Sequence, residues 1–255
     1  MLKLTIMALP IALMACGGSG SGAVPFRTID MHIISNVQLE FDVDRETVPG
    51  QIIFDPDPKT DASLTFVRAA DQDLNGFEAY LTEDGSSIYL RSGTEDSVVV
   101  TIITDPSVAE GFNGSIIAHN SSTNLPLSGS ADYAGDYAGI LTANATGQRV
   151  DTVTGDVALV MDFDTALISG TISNRALSGG QGLVDQILRP DSTIAEGGTS
   201  GFIYPDIPGR DDISSGGFAA LVAGPDAGEI VGYTRLDYAI GEVDVTENGA
   251  FRASR

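Results

Sequence analysis

Residues 216–233 read GGFAALVAGPDAGEIVGY: two apolar runs around the break Gly-Pro-Asp-Ala-Gly, with Glu229 at the head of the second run. Short apolar runs separated by a Gly/Pro break are the pattern of two strands around a tight turn. Pro225 pre-sets φ at the corner, and Gly224 and Gly228 are the positions expected to take the unusual backbone angles.

Neighbouring segments repeat this pattern. Residues 155–174, GDVALVMDFDTALISGTISN, form the clearest hairpin: Val157, Leu159, Met161 and Phe163 share one face, Asp164-Thr165-Ala166 turns the chain, and Ile168, Gly170 and Ile172 return. In residues 128–142 Tyr133 and Tyr137 stand four apart as on a helix, but Gly129, Gly135 and Gly139 would each cost a helix about 1 kcal/mol, so a strand is expected. Residues 192–205 supply a further pair of strands, and a last strand ends the chain. Many short strands joined by Gly-rich turns predict an eight-stranded antiparallel up-and-down β-barrel over 127–255, a closed form that leaves no exposed edge.

The preceding part, 25–126, also reads as β. Val37, Leu39, Phe41 and Val43 alternate with polar residues within 28–43, and strand candidates follow at 51–54, 63–68, 76–82, 87–91, 97–104 and 116–118. No stretch carries a 3.6-residue period, so the expectation is an all-β chain: an N-terminal open β domain, a polar linker at 119–124, then the barrel.

The chain begins with Lys3, the apolar run LTIMALPIALMA and Cys16, the only cysteine. The run is too short to span a bilayer and has the form of a signal peptide over 1–15. Leu13-Met14-Ala15-Cys16 resembles a bacterial lipobox, which implies lipidation of Cys16; the plainer reading is an ordinary secretory signal with an incidental cysteine. The Gly/Ser-rich stretch 16–24 has the composition of a flexible tether. Gly17 after the cysteine, in place of Asp, favours an outer-membrane destination. With Cys16 lipidated, the folded part holds no thiol, which excludes disulfides, thiolate nucleophiles and cysteine-based metal sites.

The formal net charge is −22, and the only lysines are Lys3 and Lys59. Such a surface repels nucleic acid, and no basic cluster opposes it, so nucleic-acid binding is excluded. The acids are scattered along the chain, as expected where they solvate strand faces.

One motif suggests a metal. Asp71, Asp73, Asn75 and Gly76 follow the D-x-D-x-N-G start of a calcium loop, but Thr82 stands where the bidentate Glu belongs and the flanks are strand-like. The competing reading is a hairpin loop with Asn75-Gly76 as its turn. For haem, an axial or pocket group would have to come from His32, His119 or Tyr133. Only His32 and His119 could act as neutral-pH bases, and no nucleophile elbow, zinc-protease, Walker or Rossmann motif occurs, so no enzyme is expected.

Several segments in order carry a resemblance: Asp132-Tyr133, Gly135, Tyr137 and Gly139; Asp162-Phe163 followed by Ile168, Gly170 and Ile172; Gly216-Gly217-Phe218; Gly224 to Gly232; and Gly249-Ala250-Phe251. This succession resembles the C-terminal barrel domain of transferrin-binding protein B and its lipoprotein relatives, including factor H binding protein. The resemblance implies an outer-membrane lipoprotein, anchored to the membrane through its N-terminal lipid, that displays a β-barrel binding module for a protein or an iron- or haem-carrying ligand. The alternative is a structural or assembly envelope lipoprotein with no small-molecule ligand. Here there is one such barrel, where transferrin-binding protein B has two lobes.

Overall fold

The computed structural model describes residues 51–54, 64–93, 97–103, 113–119, 125–146, 149–194, 198–208, 216–224 and 226–255. Cys16, the 16–24 tether, His32 and the alternating stretch 28–43 lie outside the described residues.

Six antiparallel strands form an open meander: β1 (Gln51–Phe54), β2 (Leu64–Arg68), β3 (Glu78–Leu81), β4 (Ser87–Ser92), β5 (Ser97–Ile103) and β6 (Asn113–His119). They match the strand candidates within a residue or two, save that β6 begins earlier than the apolar run 116–118 and takes in His119. A single 3-10 turn, Ala70–Gln72, links β2 to β3.

The remaining strands are β7 (Ser130–Ala143), β8 (Arg149–Asp162), β9 (Leu167–Leu177), β10 (Gln186–Ile194), β11 (Gly198–Pro205), β12 (Gly216–Ala223), β13 (Glu229–Ile240) and β14 (Val243–Ser254). They close in the order β10-β11-β12-β13-β14-β7-β8-β9, an eight-stranded antiparallel barrel. Strand alternation explains the interior. Val157, Leu159, Met161 and Phe163 point inward and pack with Ile168, Ile172, Leu188, Ile203, Phe218, Val222, Ile230 and Phe251. An eight-stranded barrel encloses just the width that side chains fill.

Two details differ from the sequence reading. The expected pair within 192–205 is instead β10 and β11, and β10 starts at Gln186. Pro190 lies within β10 at a β-bulge between Pro190 and Ser192, a position where the missing N–H is tolerated. Between β12 and β13, where Pro225 lies outside the described residues, the left-handed positions among residues 224 and 226–228 are Gly224 (φ 85°) and Ala227 (φ 52°), not Gly228. Ala227 is held there: its carbonyl accepts a 2.6 Å hydrogen bond from Tyr133 Oη, and its N–H donates to Gly224 O.

The open sheet lies against the outer wall of β7, β12, β13 and β14. Phe77, Ala79, Tyr89 and Ile117 of the sheet pack on Ala138, Ile140, Ala219, Leu221, Val231, Tyr233 and Ala250 of the barrel. Each large apolar side chain fully buried contributes about 1.5–3 kcal/mol, against about 1 kcal/mol for a neutral hydrogen bond. Apolar packing therefore holds the two sheets together, and polar contacts fix how they sit.

Candidate functional site

The Asp71–Gly76 loop is one of those polar contacts. Both Asp73 oxygens accept from Arg68 at 2.6 and 2.7 Å, and Oδ1 also accepts the Ala79 N–H at 3.0 Å. The Arg68 hydrogen bond holds the Asp73 carboxyl below its ordinary pKa. Asn75 (φ 48°) and Gly76 (φ 78°) form the turn between Leu74 and Phe77, which pair across it as an isolated bridge. Left-handed angles at both central residues are what an Asn-Gly hairpin turn requires.

The Asn75 amide reaches out of the loop and donates to Tyr137 O at 3.0 Å and Gly155 O at 2.8 Å, both on the barrel. Arg91 donates to Asn75 O at 3.1 Å and pairs with Asp136 at 2.8 Å. The motif's three side chains thus diverge: Asp73 faces Arg68, Asn75 faces the barrel, and Asp71 is exposed on the 3-10 turn. Among the described residues no group of three or more His, Cys, Asp or Glu is placed to hold a metal ion.

Of the haem candidates, His32 lies outside the described residues, and Tyr133 and His119 stand on different strands. Tyr133 is buried, its hydroxyl is committed to Ala227, and burial raises its pKa. His119 ends β6, opposite Ser97 in the sheet register.

Two carboxylates missed by sequence reasoning are fully buried, against the expectation that the acids solvate strand faces. Glu229 accepts from Arg252 Nε at 2.7 Å and from Ser97 Oγ of the open sheet, so it ties β13 to β5. Glu247 lies inside the barrel. Its Oε1 accepts from Tyr137 Oη at 2.5 Å, and its Oε2 accepts from Arg175 at 2.5 Å and from Tyr238 Oη. Tyr137 Oη also meets Thr234 Oγ1 at 2.9 Å, and the Arg175 guanidinium stands over the Tyr238 ring at 5.7 Å.

Burial, reinforced by the neighbouring Glu247 charge, pushes both the Tyr137 and Tyr238 hydroxyls far above the ordinary tyrosine range. Burial works against the Arg175 charge, but Glu247 and the two tyrosines more than offset it and the guanidinium pKa is raised. Both Glu247 oxygens are engaged by protein donors, so the group is arranged to join β9, β13, β14 and β7 across the lumen.

A signal for Glu247 exists in the sequence. Val245, Glu247, Gly249, Phe251 and Ala253 share one parity, and Phe251 is plainly a core residue. Arg175 gives no such signal: parity from Ile172 points it outward, and only the bulge between Thr154 and Asp156, with Asn174 at φ 52°, turns it into the lumen.

Comparison with known proteins adds a likeness in fold. The chain is similar to transferrin binding protein B. A single-mutant crystal structure of that protein from Haemophilus parasuis matches at 15% identity with a TM-score of 0.49, over 85% of this chain and 42% of the other. A double mutant from the same organism gives 14% and 0.48, with the same coverage. The intact two-lobed Ap-TbpB gives 12% and 0.45, over 85% of this chain and 43% of the other. The chain spans less than half the length of these structures. No family model and no curated protein matches it. The barrel assignment rests on its own closed strand register.

Proposed function

We propose that this chain is a non-enzymatic lipoprotein of the outer membrane, anchored through Cys16, whose sheet-and-barrel unit is a rigid module for binding a protein or an iron- or haem-carrying ligand. The observation that carries this reading is the filled barrel. Its lumen is occupied by Tyr133, Leu159, Met161, Ile172, Phe218 and Phe251, and the ionisable groups within it bond to one another. Recognition then falls to outer surfaces and loops, which suit a protein partner better than a small ligand held inside.

The sequence order shared with lipoprotein barrel domains supports display at the cell surface, and the lipobox-like Leu13–Cys16 segment supports the anchor. Two measurements test the ligand class. Pull-down with the purified chain as bait, followed by titration with each captured protein, is expected to return a saturable partner. Titration with micromolar haem separates a haem-binding module, which shifts the Soret band, from a protein-binding one, which leaves it unchanged. Absence of any saturable partner or haem shift would refute the binding-module reading.

A further inference from the structure

The six-stranded sheet is open, so it has two edge strands, β1 and β6. They differ in kind. β1 has four residues and stands between Pro49-Gly50 and Asp55-Pro56, which break the strand pattern on both sides. β6 runs for seven residues, NGSIIAH, without proline, lysine or acid, and its pairing with β5 shows no register shift. Proteins blunt an edge against further pairing with prolines, charges, bulges or short length, and β6 has none of these. Among the described residues no strand pairs with its outer side.

β6 is also fixed in place over the barrel. Ile117 packs with Ala219 and Leu221 of β12, and Ser115 Oγ donates to Gly249 O at 3.3 Å. β5 touches β7, β13 and β14, whereas β6 touches β12, β13 and β14, so each step across the sheet moves along the wall toward β12. A strand added beyond β6 therefore lies over β12 and β11. The wall there is apolar and uncovered. Phe202 of β11 is 46% exposed, and its register partner on β12 is Gly217, which has no side chain to shield it. Gly217 pairs with Arg235, and Arg235 with Asn248, next to the Gly249 carbonyl that Ser115 meets. Phe202 thus stands level with the middle of β6. On its other side Arg189 of β10 pairs with Phe202 in register, and its guanidinium stands over the Tyr204 ring at 4.7 Å. Exposed aromatics beside arginine are the composition of protein interfaces.

We propose that an extended segment of a partner protein adds to β6 as a seventh strand and lays alternate apolar side chains against Phe202 on the barrel wall. Such a strand continues an interface the fold already uses, since Ile117 of β6 covers the neighbouring wall in the same way. The inference rests on the binding-module reading and narrows its partner to one with a strand to give. The two can fail separately: a partner captured at another surface would keep the binding module and remove only the β6 site.

The probe is a fluorescent peptide of alternating valine and threonine, with one lysine and one glutamate at its ends so that it carries no net charge. Two further versions are N-methylated, one at the valine amides and one at the threonine amides. A strand turns alternate N–H groups to opposite sides, so only one version blocks the hydrogen bonds to β6. The purified full chain is expected to bind the unmethylated peptide saturably. One methylated version should weaken binding about tenfold or more and the other less than about threefold. Phe202→Ser should weaken it about threefold or more, and Val160→Ser, which removes a similarly exposed apolar side chain from β8, less than about twofold. Both positions are exposed, and circular dichroism checks that both variants keep the fold. Equal effects of the two methylated versions, equal effects of the two substitutions, or no saturable binding would each overturn the proposal. The last is the result if a second copy, or the chain's own 28–43 stretch, already covers the edge.

Discussion

Replacing Glu247 by Gln keeps the side chain's size and removes its charge. Tyr137 and Tyr238 donate to different Glu247 oxygens, so one can still donate to the amide oxygen while the other faces the amide NH2. Arg175 loses the one anion bonded to its buried guanidinium among the described residues, its other acceptor being the neutral Val184 carbonyl. With 1% of the Arg175 side chain and none of the Glu247 side chain exposed, water cannot substitute. Breaking a buried pair by removing one partner costs about 3–5 kcal/mol. In a domain of this size each kcal/mol lowers the melting temperature by about 2–4 °C, so Glu247→Gln should melt about 6–20 °C below the unaltered chain. The double variant Arg175→Met/Glu247→Gln removes both charges and should recover part of that loss, giving a coupling energy above about 1 kcal/mol in a double-mutant cycle. Thermal and urea denaturation followed by circular dichroism supply both numbers. A Glu247→Gln chain within about 0.5 kcal/mol of the unaltered one would refute the assignment of this pair as the cross-lumen tie.

Other consequences follow from particular contacts. Asn75→Ala deletes two hydrogen bonds from the open sheet to the barrel and should cost about 1–3 kcal/mol, read by denaturation. Asp73→Ala frees Arg68 and should lower stability, and calorimetric titration of the unaltered chain with calcium should give no binding heat, because both Asp73 oxygens are already held. At Gly232 a Cβ would stand 2.1 Å from the Phe251 ring, so Gly232→Ala should cost about 1–3 kcal/mol through overpacking. The pH dependence has two arms. Tyr137 and Tyr238 have raised pKa values, so the unfolded chain releases these protons first. Their contribution is intact below about pH 10 and lost as pH rises beyond it, with tyrosinate absorbance growing in a late step that coincides with unfolding. Asp73 has a depressed pKa, so its contribution is present above about pH 4 and lost as pH falls, a shift that Asp73→Asn should abolish.

The barrel was legible because period-two alternation and Gly-rich turns are local. The faces of 157–163 and 168–172 and the turn at residues 164–166 could be read without knowing what they packed against. What sequence could not supply was nonlocal. Ala138, Ile140, Ala219 and Leu221 lie on the barrel's outer face yet are buried, because the open sheet covers them. Arg175 escapes parity through a bulge, and β10 accommodates Pro190 at another. The Asp71–Gly76 motif shows the limit of spacing as a guide to chemistry. Its turn was readable, but the partners that occupy Asp73 and Asn75 come from β2 and from residues more than sixty positions away.

Protease treatment of intact cells producing the full chain tests most directly whether it is a surface-displayed binding module. Exposed display predicts loss of the full-length band from whole cells while a periplasmic control protein stays intact. Complete protection until the cells are lysed would contradict it.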